Sequence, residues 1–153
     1  MAFNFSKEKR IMRLIKYIKE VLSTREKKGY EYLYFMIDVH GTILKPSLDK
    51  EEKFIFYDYA KEVLRELSNR EYIKLILWTS TYPSKIKNYL DKFEEEGIHF
   101  DYVNSNNEMA NTSFGCFDKK FFYDVGIDDK CGFDAERDWE RIWFLVLNDG
   151  SKK

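Results

Sequence analysis

Several features are scarce in this sequence, and each scarcity excludes something. Only two cysteines, Cys116 and Cys131, occur in 153 residues. A disulfide framework is therefore ruled out, and with no secretory signal the thiols are expected to be free in a reducing cytosol. No apolar stretch approaches the ~20 residues a membrane span needs, so a cytoplasmic chain without membrane contact is expected. The formal net charge is −1, which argues against polyanion binding driven by bulk charge. The sequence shows no internal repeat and no low-complexity segment.

What is present suits one domain over residues 1–153: 44% hydrophobic and 18% aromatic content is enough for a real core. The charge is unevenly spread. Residues 6–28 carry nine Lys/Arg and three Glu, a net of +6, which leaves −7 for the rest of the chain. Within that stretch Ile11, Leu14, Ile15, Ile18, Val21 and Leu22 recur at helical spacing, with Lys and Arg on the opposite face. The spacing predicts an amphipathic basic helix. It is read chiefly as a helix laid on the acidic body, with a nucleic-acid or partner surface as the rival.

The stretch that organises the chain is Tyr32–Leu44. Leu33–Ile37 is an unbroken apolar run with the length of a central strand buried on both faces. Asp38 ends that run, and Gly41-Thr42 supplies a tight turn where open α/β sheets bind their ligands. Pro46, Ser47 and Asp49 mark a loop, and Tyr57, Ala60, Val63, Leu64 and Leu67 form a helical stripe ending near Ser68-Asn69. Tyr72–Trp78 is a second buried strand, closed by Thr79-Ser80-Thr81 just before a helix with Pro83 in its first turn. Hydroxyls beside a helix start favour phosphate. The next helix carries Ile86, Tyr89, Leu90 and Phe93 and stops at Gly97. Ile98–Val103, Phe121–Ile127 and Ile142–Leu147 are read as further strands, with a polar loop over Asn104–Lys119 and a short helical or looped piece near Ala135–Glu140.

This alternation predicts an α/β, Rossmann-like, three-layer α/β/α fold around a parallel sheet of about five strands, whose carboxyl ends share one edge. Asp38, Thr79 and Asp128-Asp129 then converge there, and Lys120 stands at or just before the fourth strand. Convergent carboxylates repel unless a cation neutralises them, and oxygen ligands suit Mg²⁺. A carboxylate beside Mg²⁺ that attacks phosphorus, with a hydroxyl and a Lys on the transferring oxygens, is the equipment of phosphoryl transfer. His99 is assigned to packing, and Asp134 and Asp138 to helix starts.

The stretch Phe35-Met-Ile-Asp38-Val-His40-Gly41-Thr42-Ile-Leu44 resembles the first signature of the haloacid dehalogenase (HAD) superfamily, a hydrophobic strand followed by Asp-x-Asp-Gly-Thr. Leu75–Thr79 resembles its second signature, Lys120 its third and Ile127-Asp128-Asp129 its acidic fourth. The spacing on to Gly132-Phe133 and Asp138-Trp139 is similar to small bacterial and phage members of that family. The resemblance implies Asp38 as nucleophile, Thr79 and Lys120 on the phosphoryl group, and Mg²⁺ held by Asp38, the main-chain carbonyl of His40, and Asp128 or Asp129; Ser80, beside Thr79 ahead of a helix start, is a further phosphate-binding candidate. One position departs: His40 stands where the family's phosphatases carry a second Asp that acts as acid and base, a catalytic role that histidine can also fill.

The intervals 45–71 and 80–119 leave no room for a cap domain, and an open site favours a phosphorylated substrate that brings its own bulk, including a macromolecule. The expectation is a Mg²⁺-dependent phosphohydrolase or phosphotransferase. Its rivals are a catalytically impaired HAD-like binding or regulatory protein, in which His40 marks lost turnover, and a nucleic-acid end-processing phosphatase.

Overall fold

The computed structural model describes residues 2–47 and 53–148, with side chains from Arg13 onward in the first helix. Asp49 and the side chains of Lys7, Lys9, Arg10 and Ile11 lie outside the described residues. Four strands, β1 (Leu33–Asp38), β2 (Ile73–Trp78), β3 (Tyr102–Val103) and β4 (Val125–Ile127), form a wholly parallel sheet in the order β3-β2-β1-β4. The helices are α1 (Ala2–Lys28), α2 (Ala60–Asn69), α3 (Pro83–Glu95) and α4 (Asp138–Ile142). From β1 the chain runs outward through α2, β2 and α3 to β3, then returns across β1 to form β4. The strand order reverses between β1 and β4, so the topological switch point falls beside Asp38.

Alternate residues of each strand face opposite sides of the sheet. Leu33, Phe35 and Ile37 of β1 and Ile73, Leu75 and Leu77 of β2 join the main core, to which α1 adds Ile15 and Ile18, α2 Val63 and Leu64, α3 Tyr89 and Phe93, and α4 Trp139. The apolar stripe of α1 is thus buried at Ile15 and Ile18 and partly buried at Leu14, Val21 and Leu22, while Lys16 and Lys19 stay exposed. On the other face Tyr34, Met36 and Ile76 form a smaller cluster covered by Met109, Phe121, Phe122 and Tyr123.

That second face corrects the three-layer expectation. Among the described residues the β3–β4 crossover contains no helix, so the sheet carries helices on one face and an aromatic loop on the other. The crossover is rich in Asn and Ser, which hydrogen-bond locally instead of propagating a helix: Asn106 Nδ2 donates to the Phe122 carbonyl and Asn111 Oδ1 accepts the Phe117 N–H.

The expected fifth strand is also corrected. Residues 142–147 continue α4 into a wider π-type turn, Trp143–Leu147, where Asn148 N–H reaches the Trp143 carbonyl at 2.9 Å. A central strand would bury the whole run. Here Ile142 is buried while Phe144 and Leu145 are 51% and 42% exposed, a one-sided pattern that packs against α1 and α2.

Strands β3 and β4 are shorter than the runs 98–103 and 121–127 suggest because an aspartate stands in for the ladder before each. Asp101 N–H donates to the Leu75 carbonyl at 2.8 Å while its Oδ2 accepts the Leu75 N–H at 2.9 Å. Asp124 N–H likewise donates to the Tyr34 carbonyl at 2.8 Å, and its Oδ2 accepts the Tyr34 N–H at 2.8 Å.

Candidate functional site

The carboxyl end of β1 bends back on itself. The amides of Thr42, Ile43 and Leu44 donate to the Val39 carbonyl at 3.2, 2.8 and 3.0 Å, and the Gly41 N–H donates to the Leu44 carbonyl at 2.9 Å. Gly41 has φ +80°, and a Cβ there would meet Asp129 Oδ2 at 2.7 Å. Both the left-handed backbone and the close carboxylate therefore require glycine.

Thr42, fully buried, ties the turn to the fourth strand's end. Its hydroxyl donates to Asp38 Oδ2 at 3.0 Å and accepts the Asp129 N–H at 3.0 Å, with Asp129 Oδ1 at 3.4 Å. Its carbonyl accepts the indole N–H of buried Trp139 at 2.7 Å. The sequence reading gave Thr42 only a turn, although its place four residues after a strand-end Asp is the usable signal.

These bonds gather the acidic residues. Asp38, Asp128 and Asp129 each present an oxygen, and the three oxygens lie within 4.8 Å of one another. Asp128 Oδ1 also accepts the Lys130 N–H at 2.9 Å, capping a 3₁₀ turn over Asp129–Cys131. Burial first, then the charge of Asp128 and a hydrogen bond with Asp129, push Asp38 up from 3.8 to about 6, although the Thr42 hydroxyl pulls it down. Among the described residues no hydrogen bond reaches the His40 carbonyl. An all-oxygen donor set with unrelieved repulsion fits a hard divalent cation such as Mg²⁺.

His40 is exposed, and its ring is engaged elsewhere. Nε2 lies 2.9 Å from the Tyr89 hydroxyl, the two rings meet edge-to-face at 5.4 Å, and no hydrogen bond joins the imidazole to the three carboxylates. Tyr89 came into the sequence reading only as a core residue, because its contact spans 49 positions.

Thr79 stands one residue past β2, and its backbone is clamped by Asn104: Thr79 N–H donates to Asn104 Oδ1 and Asn104 Nδ2 donates to the Thr79 carbonyl, both at 2.9 Å. Asn104 takes φ 53°, a conformation asparagine tolerates, and it was missed by the sequence reading. The Thr79 hydroxyl donates to Thr81 Oγ1 at 2.9 Å and accepts the Thr81 N–H at 3.1 Å. Ser80 is exposed, and α3 begins only at Pro83. Lys120 is exposed, lies in the loop before β4, and has no ion pair among the described residues. The Phe121 ring packs on Trp78 at 5.5 Å, which brings this loop to the end of β2. Asp38 and Asp129 are thus connected through Thr42, with an Asp128 oxygen beside them, whereas Thr79, Ser80 and Lys120 are not hydrogen-bonded to this group.

No family model matches the chain, and no curated protein matches it. A solved structure of a conserved protein from Bacteroides thetaiotaomicron is similar, at 22% identity and a TM-score of 0.57, over 76% of this chain and 91% of that one. That likeness supports an α/β fold. Among the described residues, no helix is long and apolar enough to cross a membrane.

Proposed function

We propose that this chain is a capless HAD-like phosphohydrolase or phosphotransferase that works through an aspartyl-phosphate on Asp38. The observation that carries the reading is the set of three carboxylates held within 4.8 Å of one another around buried Thr42 at the sheet's switch point. Asp38, Asp128, Asp129 and the His40 carbonyl would hold Mg²⁺, which supplies charge neutralisation for the phosphoryl oxygens when bound.

Asp38 attacks phosphorus, the phosphorus–ester oxygen bond breaks, and water later cleaves the acyl phosphate. Thr42 orients Asp38 by donating to Oδ2, which leaves lone pairs on Oδ1 for the attack. The Thr79 and Ser80 hydroxyls and the Lys120 ammonium are the groups on this edge that would bind the phosphoryl oxygens. A site pushed up to about 6 keeps Asp38 mostly ionised at neutral pH, as a nucleophile must be.

The engagement of His40 by Tyr89 favours a second reading, in which turnover is slow and the protein binds or holds phosphate for a regulatory purpose. The test is phosphate release from an aryl phosphate with Mg²⁺, wild type against Asp38→Asn. Loss of turnover in the variant with an unchanged circular dichroism spectrum supports the nucleophile; equal turnover refutes it. A wild type that binds beryllium fluoride through Asp38 without turnover selects the second reading.

A further inference from the structure

Asp38 and Trp78 are register partners in the parallel pair β1–β2. Paired residues leave a sheet from the same face, and neighbouring strands are ~4.8 Å apart. The indole of Trp78 therefore stands one strand away from the Asp38 carboxylate, on its own side of the sheet. Trp78 is 39% exposed although it ends a strand whose preceding three residues have no exposed surface. Its inner side is backed by Phe121, with ring centroids 5.5 Å apart and planes at 59°, and Phe121 is in turn backed by Tyr123 at 6.1 Å. Any apolar side chain would cover Phe121. A braced, solvent-facing indole beside a carboxylate cluster offers in addition a flat surface at a fixed distance from the reacting atom.

We infer that Trp78 is a specificity-determining residue that stacks the leaving group of an aryl phosphate monoester, a substrate whose aromatic ring is joined directly to the ester oxygen. The inference rests on the phosphoryl-transfer reading above and names its substrate class. Geometry favours this class over nucleotides: the centre of a ring on the ester oxygen lies within one strand spacing, ~4.8 Å, of phosphorus, whereas an intervening ribose carries a base further away than that. The chemistry at Asp38 favours it too. The His40 imidazole is bonded to Tyr89 and to none of the three carboxylates. A phenol, with a pKa near ~10, departs as phenolate with far less need of a proton than an alcohol does.

The experiment compares phenyl phosphate, a phosphotyrosine peptide, adenosine 5′-monophosphate and 2-glycerophosphate as substrates of wild type, Trp78→Leu and Trp78→Phe with Mg²⁺. It also follows tryptophan fluorescence on titration with phenylphosphonate and methylphosphonate, which are not hydrolysed. The expected result is a preference of phenyl phosphate over 2-glycerophosphate in kcat/KM that falls about tenfold in Trp78→Leu, the scale of one aromatic stacking contact, and returns in Trp78→Phe. Phenylphosphonate should quench the fluorescence and methylphosphonate should not, with the response lost in Trp78→Leu. Activity on the phosphotyrosine peptide would extend the class to a protein side chain. Equal use of phenyl phosphate and 2-glycerophosphate by wild type, or preference for adenosine 5′-monophosphate, overturns the inference while leaving phosphoryl transfer intact. If no ester is turned over, the phosphoryl-transfer reading fails, and equal binding of the two phosphonates would overturn the stacking role on its own evidence.

Discussion

Replacing Asp38 by Asn is expected to make the protein more stable at neutral pH in the absence of divalent cations. The folded carboxyl titrates at about 6 against an ordinary 3.8, so the native state binds this proton more tightly than the unfolded chain does. A raised acid contributes its stability fully below the unfolded value and loses it as pH rises through the folded one. The window is therefore from about 4 to above 6. At ~1.36 kcal/mol per pH unit the gap corresponds to about 3 kcal/mol, and solvent screening of a half-exposed group reduces it to about 1.5 kcal/mol. For a chain of this size that is a rise of roughly 3–6 °C in Tm.

Asparagine keeps an oxygen for the Thr42 hydroxyl and adds an amide that can donate to Asp129. The measurement is thermal unfolding in chelator at pH 7.5 and pH 3.5, with the variant ahead at the first and nearly level at the second, below the ordinary value of 3.8. Mg²⁺ should close the gap by stabilising wild type, about 1.4 kcal/mol at tenfold over its Kd, and reverse the order at hundredfold, where the gain is about 2.7 kcal/mol. An Asp38→Asn variant no more stable than wild type at pH 7.5 would show that the carboxylate charges are already relieved within the fold.

Gly41→Ala should weaken Mg²⁺ affinity at least tenfold and cost about 1–3 kcal/mol, because the new methyl must displace the Asp129 carboxylate and strain a left-handed backbone. Isothermal titration with Mg²⁺ and a denaturant melt check both halves, and wild-type affinity would contradict the tight approach. Exposed Lys16 and Lys19 on α1 test the nucleic-acid reading: oligonucleotide binding should be present at low salt and fall steeply with added salt if the basic face is an interface. No binding at low salt leaves α1 the packing role that its buried Ile15 and Ile18 already give it.

The parts of the fold that sequence periodicity revealed are those where one physical signal dominated. The run Leu33–Ile37 is central and buried on both faces, and Pro83 and Gly97 bracket α3, so local chemistry and tertiary position agree there. Residues 142–147 are apolar enough for a strand, yet short apolar runs are ambiguous, and a helix already started at Asp138 carries them on to pack against α1 and α2. Phe121, Phe122 and Tyr123 look like strand residues for a related reason: they need burial, but find it by lying over Tyr34 and Trp78 instead of pairing their backbone. At the site, the three aspartates were legible because topology alone brings strand ends together. The roles of Asn104 and Tyr89 were not, since they depend on contacts 25 and 49 residues away in the chain, and of Thr42 only the local bond to Asp38 was within reach, its ties to Asp129 and Trp139 spanning 87 and 97.

The two aspartates that precede β3 and β4 also bear on what the margins of the sheet offer to a second chain. With outer strands of two and three residues beside inner strands of six, the inner strands would overhang and offer bare peptide N–H groups to any extended segment drifting past. Leu75 and Tyr34 are such donors, and each is filled by a carboxylate oxygen of the same chain. Asp101 and Asp124 therefore occupy the donors that a strand added at either margin would need. Removing either one would leave the interior of the fold largely as it is and open a margin to self-association, a failure that would appear as concentration-dependent aggregation before any loss of native circular dichroism.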